Sequence, residues 1–270
     1  MLVRRGKVLD ELVTTERKYL EDLYTLIMFY ITPLRRNFAA ELAKASKESF
    51  MAHTQNARAV ALVEQQMERT DRAEGLEEDW DVETQFKSVE ALFNANTAFK
   101  NDLEDHLRDR PETCVGDCLV PFADKVRAYS SFCVRQEATT VILKDLIAHN
   151  AKFRALLQQC RNVCREKLDI FDLLIKPFQR ICRYPLLLEA IVRCSEPGPD
   201  TDRLKQAAAK IQSVVQRINQ QKRQSEANII AVELQERLYN PGGAVPALIS
   251  PARKFIRHGL TYEVEPRSCA

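Results

Sequence analysis

The sequence predicts an all-α protein: an elongated bundle of about six major helices, with a short β segment at the C-terminus. Three observations carry this. Apolar residues recur at three- and four-residue steps from residue 3 to about 238. Among 270 residues there are only 7 glycines and 11 prolines, too few for an all-β fold built from many turns. Apolar residues make up 45% and charged residues 29%, the balance of a soluble globular chain with a sizeable core.

The first helix is written by Leu9, Leu12, Val13, Tyr19, Leu20, Leu23 and Ile27, and the spacing predicts its end near Pro33. A second, more solvated helix spans roughly 38–72, and GLEEDWD (75–81) breaks it, offering Asp79 or Asp81 as the next cap. The third carries Phe86, Val89, Leu92, Phe93 and Phe99 on its apolar side. After a break at Pro111–Gly116, Asp117 is the expected N-cap of a helix through Leu119, Phe122, Val126 and Tyr129. Val141, Leu143, Leu146, Phe153 and Leu156 are core candidates of the helix that follows. Then comes DLLIKPFQRICRYPLLLEAI (172–191), where Pro177 and Pro185 should bend the rod. SEPGPDTD is a turn with Asp200 or Thr201 as cap, and a last helix runs from about 202 to 238 with Leu204, Ala208, Ile211, Val215 and Ile218 in register. Residues 239–251 read as a linker, and ARKFIRHGLTYEV as a strand pair too short to bury its own core.

Composition also excludes. With 40 basic against 38 acidic residues, the charge of +2 gives no reason to expect nucleic acid. No run approaches the roughly 18 apolar residues of a membrane span, and the N-terminus lacks the pattern of a secretory signal. Eight cysteines in a large apolar chain point to free thiols in a reducing compartment, so the expected location is cytoplasmic. The pairs Cys114–Cys118 and Cys160–Cys164 lack clustered histidines and fall short of a zinc site. No phosphate-binding glycine loop, zincin motif or nucleophile elbow occurs, which favours binding over covalent chemistry and calls for no cofactor.

A few polar residues sit where a plain core helix would not put them. Glu16 lies within the first helix's apolar stripe, between Leu12, Leu20, Leu9 and Leu23. Such a carboxylate either pairs with an internal Lys or Arg, or the stripe emerges at an open surface where Glu16 accepts hydrogen bonds from another molecule. In 171–191, Phe171, Leu174, Ile175, Phe178, Ile181 and Cys182 form one helical face. Asp172, Lys176, Gln179, Arg180 and Arg183 form the other: an ordinary solvated face, or a ladder shaped for a partner. Asn219 sits at the margin of the last helix's stripe and reads equally as a surface residue.

The stretch DLLIKPFQRICRYPLLLEAI strongly resembles the third conserved region of the Dbl-homology domain of exchange factors for Rho-family GTPases. ELVTTERKYLEDLYTLIMFYITPLR (11–35) is similar to that family's first region, QFKSVEALFNANTAFKNDLEDHL more weakly to its second, and GDCLVPFADKVRAYSSFCVRQEA to the helix that follows. VVQRINQQKR (214–223) resembles the end of the pattern. SPARKFIRHGLTYEV looks like the opening strand of a pleckstrin-homology domain. The resemblance thus implies a Dbl-homology domain over 1–238, a linker, and a truncated pleckstrin-like start at 252–270. Membrane contact would need that domain complete.

The implied activity is guanine nucleotide exchange on a Rho-family small GTPase, with a catalytically inactive scaffold or an autoinhibited module as the alternative. By the resemblance, Glu16 matches the glutamate that binds switch 1. Gln179 and Arg183 match positions that contact switch 2, and Asn219 matches the asparagine that hydrogen-bonds switch 2. Lys176, on the same ladder, is counted with them. Three departures stand out: Gln220 replaces a common acidic residue, Cys182 a common Thr or Val, and 38–80 is longer than the usual connection, as an extra helix or an autoinhibitory flap would be.

Overall fold

The computed structural model describes residues 2–52, 81–109 and 115–237, and these are helical almost throughout. The expected break at GLEEDWD with Asp79, the linker and the C-terminal strand pair lie outside the described residues, as does the stretch 53–80.

Helix α1 (Leu2–Thr25) passes through one wide π turn (Leu26–Ile31) directly into α2 (Thr32–Ala52). The expected end at Pro33 is therefore corrected. A proline ring clashes with the carbonyl four residues earlier, and the wide turn relieves that crowding. Thr32 supports it, its backbone N–H and its hydroxyl both donating to the carbonyl of Ile27. The break in α2 comes later, at Phe38, whose φ of −138° is non-helical.

Helix α3 (Val82–Asp109) starts on the Asp81 carboxylate, which accepts from the Thr84 N–H at 2.7 Å. Helices α4 (Gly116–Lys125) and α5 (Ala128–His149) follow, and Asn150 ends α5 and caps α6 (Ala151–Val163) through Phe153 N–H. A short loop, turned by Lys167 at φ 53°, leads to α7 (Ile170–Leu174), whose start carries a capping box of Asp169 and Asp172. The long third-region stretch is thus two helices: α8 (Lys176–Arg193) begins afresh after Ile175. Pro177 falls in its first turn, where a missing N–H costs nothing, so it starts a helix instead of bending one. Helix α9 (Pro199–Arg237) closes the fold.

One cap differs from expectation. Asp117 does not cap α4; it pairs with Arg203 at 2.9 Å. The Gly116 N–H is taken by Asp200 at 2.8 Å, and Asp200 also binds Arg5 at 2.7 Å. One carboxylate of α9 thereby ties down the start of α4 and the N-terminal end of α1. The joint is tight: a Cβ at Gly116 would lie 2.6 Å from Arg203 Cβ and 3.2 Å from the Asp200 carbonyl oxygen. Gly116→Ala is expected to cost about 1–3 kcal/mol through overpacking, visible as a lower melting temperature.

The core is continuous through the bundle. Phe99 of α3 stacks on Phe122 of α4 with centroids 4.0 Å apart, and Tyr184 of α8 meets Phe122 edge-on at 5.1 Å. Tyr129 of α5 joins at 6.5 Å, so four helices share one aromatic knot. Val141 leaves the predicted core: it is 44% exposed, because Thr139, Ile142 and Leu143 set the inward face of α5. The six cysteines among the described residues are free thiols. Burial raises Cys118 and Cys133 to about 12, so they behave as small packing groups. Among the described residues no helix is long and apolar enough to cross a membrane.

Candidate functional site

Helices α1 and α8 lie side by side and run in opposite directions. Their pairs appear in reverse order along the two helices: Asp22 with Lys176, Glu16 with Arg180, and Glu11 with Arg183, while Arg5 reaches Ser195 just beyond the end of α8. Helix α9 packs along α8, where Lys222 covers the Phe178 ring at 5.4 Å. Helix α8 thus packs against both α1, far away in sequence, and α9, which follows it.

The expectation that Glu16 meets a partner is corrected. Its side chain is 0% exposed. Its Oε2 accepts from Arg180 Nε at 3.0 Å, from Arg180 Nη2 at 2.5 Å and from the Tyr184 hydroxyl at 2.8 Å. Its Oε1 has no hydrogen-bond partner among the described residues. Burial raises the Glu16 pKa above its ordinary value, although the Arg180 charge and the Tyr184 hydrogen bond pull it back. Of the two readings of this carboxylate in an apolar stripe, pairing with an internal cation is the one observed.

Arg180 leaves the solvated ladder for the same reason: it is only 5% exposed. Its guanidinium lies 4.4 Å from the centre of the Tyr184 ring, and Nη1 donates to Thr15 Oγ1 at 2.9 Å. The Tyr184 hydroxyl lies 2.8 Å from both Glu16 Oε2 and Asn96 Oδ1, so its single proton serves two acceptors. Tyr129 also donates to Asn96 Oδ1, which extends the polar network to α3 and α5.

The outer surface keeps the other expected residues. Gln179, Arg183 and Asn219 are exposed, and Lys176 is half-buried with its ammonium 3.4 Å from Asp22. Two residues that sequence reasoning missed join them. Glu11, on the outer side of α1, accepts from Arg183 Nη2 at 2.6 Å. Leu186, three residues beyond Arg183, is 65% exposed. A signal for Leu186 existed, since three consecutive leucines in Pro185–Leu188 cannot all face one core. For Glu11 there was none, because an acidic residue on a polar face looks like any other.

The surface therefore sets an acid and a base side by side, flanked by an amide one turn away and an exposed leucine. Such a face has the chemistry to form charge-assisted hydrogen bonds to another protein around an apolar anchor.

A family model described as RhoGEF domain matches residues 8–219, and the chain belongs to this family. The matched span contains α1 from Val8 onward, α8 and the part of α9 that bears Asn219. The chain is 28% identical over 238 residues to the myosin-M heavy chain of Dictyostelium discoideum, covering 86% of this chain and 11% of that protein. It is 26% identical over 254 residues to Rac guanine nucleotide exchange factor JJ of the same organism, covering 94% of this chain and 18% of that protein. Among solved structures, the DH/PH domains of p115-RhoGEF superpose with a TM-score of 0.65 at 21% identity, covering 88% of this chain and 61% of that one. That likeness is one of fold. The chain spans between 11% and 26% of the length of the first curated relatives it matches.

Proposed function

We propose that this chain is the exchange module for a Rho-family small GTPase, binding its switch regions and promoting release of GDP and loading of GTP. The observation that carries the reading is the RhoGEF match over residues 8–219, which takes in α8 and the parts of α1 and α9 that carry Glu11 and Asn219, and within it Gln179, Arg183 and Asn219 stand exposed. The role expected of Glu16 passes to Glu11, the carboxylate of the same helix that reaches solvent beside Arg183. A relative named as a Rac exchange factor supports the choice of partner class.

The mechanism is differential binding. A face fixed on packed helices stabilises the nucleotide-free GTPase more than the loaded one, which lowers the barrier to GDP release. Glu11 and Arg183 present opposite charges to polar groups of the switches, Gln179 and Asn219 supply amides that both donate and accept, and Leu186 offers an apolar anchor. The sites for nucleotide and magnesium belong to the GTPase, and the chain acts on them only through the switches. Choice among Rho-family members rests on pairwise contacts at the rim of this face.

The test is release of a fluorescent GDP analogue from Rac, Rho and Cdc42 proteins, each with and without the chain. Acceleration with at least one is the expected result, and silence with all three overturns the reading. Stable binding of a nucleotide-free GTPase without acceleration would establish a scaffold instead. Asn219→Ala is expected to slow exchange by roughly tenfold or more, the scale of a truncated interface hot spot, while leaving the melting temperature unchanged because its side chain is exposed.

A further inference from the structure

We infer that Arg180, though buried, is a positioning residue for exchange: it holds Glu11 in place through a relay from its Nη1 to Thr15 Oγ1 and on to the backbone carbonyl of Glu11. The inference rests on the exchange reading above and adds a residue that never touches the GTPase.

Each link uses its atoms once. Arg180 Nη1 donates to Thr15 Oγ1 at 2.9 Å, and the Thr15 hydroxyl in turn donates to Glu11 O at 2.7 Å, nearer than Leu12 O at 3.2 Å. A threonine hydroxyl that bonds back four residues bends its helix slightly, and here Arg180 fixes the direction in which that hydroxyl points. The other donors of the fork, Nε and Nη2, are spent on Glu16, and the Tyr184 ring lies 4.4 Å away, so the guanidinium cannot swing. Arg183 follows three residues later on α8 and closes the circuit on the Glu11 carboxylate at 2.6 Å. Arg180 thereby sets the backbone of Glu11 from one side and the rail that carries Arg183 from the other. A lysine retains the charge but has no planar fork with which to hold Glu16 and Thr15 together.

The test compares Arg180→Lys and Thr15→Val with the unchanged chain, titrating the GTPase it serves so that maximal rate and half-saturation separate. Gly116→Ala is the control for stability, because it strains a joint away from this face. Both test variants should lose maximal rate roughly tenfold, as slightly misplaced contact groups do, while Gly116→Ala keeps the full rate below its melting point. In the Arg180→Lys background, Glu11→Ala should add little further loss, whereas Asn219→Ala should multiply in full. Thr15→Val leaves the Glu16–Arg180 pair intact, so it decides the matter if Arg180→Lys folds poorly. Full maximal rate in the test variants, or a Glu11→Ala effect that multiplies in full, overturns the relay while exchange itself stands. Silence of the unchanged chain overturns the exchange reading, and the relay with it.

Discussion

Glu16→Leu is expected to lower the free energy of unfolding by about 3–5 kcal/mol, because it leaves the Arg180 charge buried without its anion. That is a large share of the roughly 5–15 kcal/mol that holds a domain together, and urea unfolding would show it as a fall in midpoint. The pair itself is a different matter. Burial raises the Glu16 pKa even against the Arg180 charge, so the attraction does not fully offset the desolvation of the carboxylate. Replacing both partners, Glu16→Leu with Arg180→Met, should therefore recover most of the loss. The sign of the pH dependence follows. A folded carboxyl that holds its proton more tightly than the unfolded one contributes fully below its ordinary value of 4.5, and that contribution is lost as pH rises through the raised folded value. The double variant should lack this dependence. A single variant within about 1 kcal/mol of the unchanged chain, the scale of an exposed pair, would show that Arg180 finds another anion.

Helical periodicity exposed most of the fold because it needs only a helix's own residues. Leu12, Phe86, Tyr129 and Ile218 all reach the core as their spacing says. It failed where the answer lay on a neighbouring element. Nothing near Asp117 announces that Asp200, 84 residues from Gly116, supplies the α4 start. Arg180 looked like one rung among several, since a helix's own pattern cannot show that Glu16 and Thr15 stand across from it. Glu16 was legible as out of place, but not the cause. Pro33 and Pro177 were read as a stop and a bend, whereas a π turn and a helix start absorb them. Of the candidate site, the exposure of Gln179, Arg183 and Asn219 was legible. Glu11 was not, because its meaning comes from Arg183 on another helix.

Arg183→Glu should reduce exchange by roughly a hundredfold or more, as loss of a central charged contact does, without comparable damage to the fold. The Glu11–Arg183 pair is about half exposed on both sides, at 47% and 49%, and pairs of that kind contribute at most about 1 kcal/mol. The variant sets two carboxylates together and presents the wrong charge to the switches. The swapped variant, Glu11→Arg with Arg183→Glu, separates the two effects. It restores the pair within the chain but should leave exchange low, because the partner meets inverted charges. Exchange recovering with the swap would mean that the pair serves only to join α1 and α8.

Glu16 and Arg180 are separated by 164 residues. On a ribosome adding about 5–20 residues per second, α1 emerges roughly 8 to 33 seconds before the arginine that will neutralise it. Through that interval its stripe carries an unmatched carboxylate and cannot pack to completion. Closing so long a loop is also slow, since its entropic cost is met before the contact forms. The face proposed to meet a GTPase is therefore complete only after α8 has emerged, and a nascent chain cut short of α8 would lack half of it.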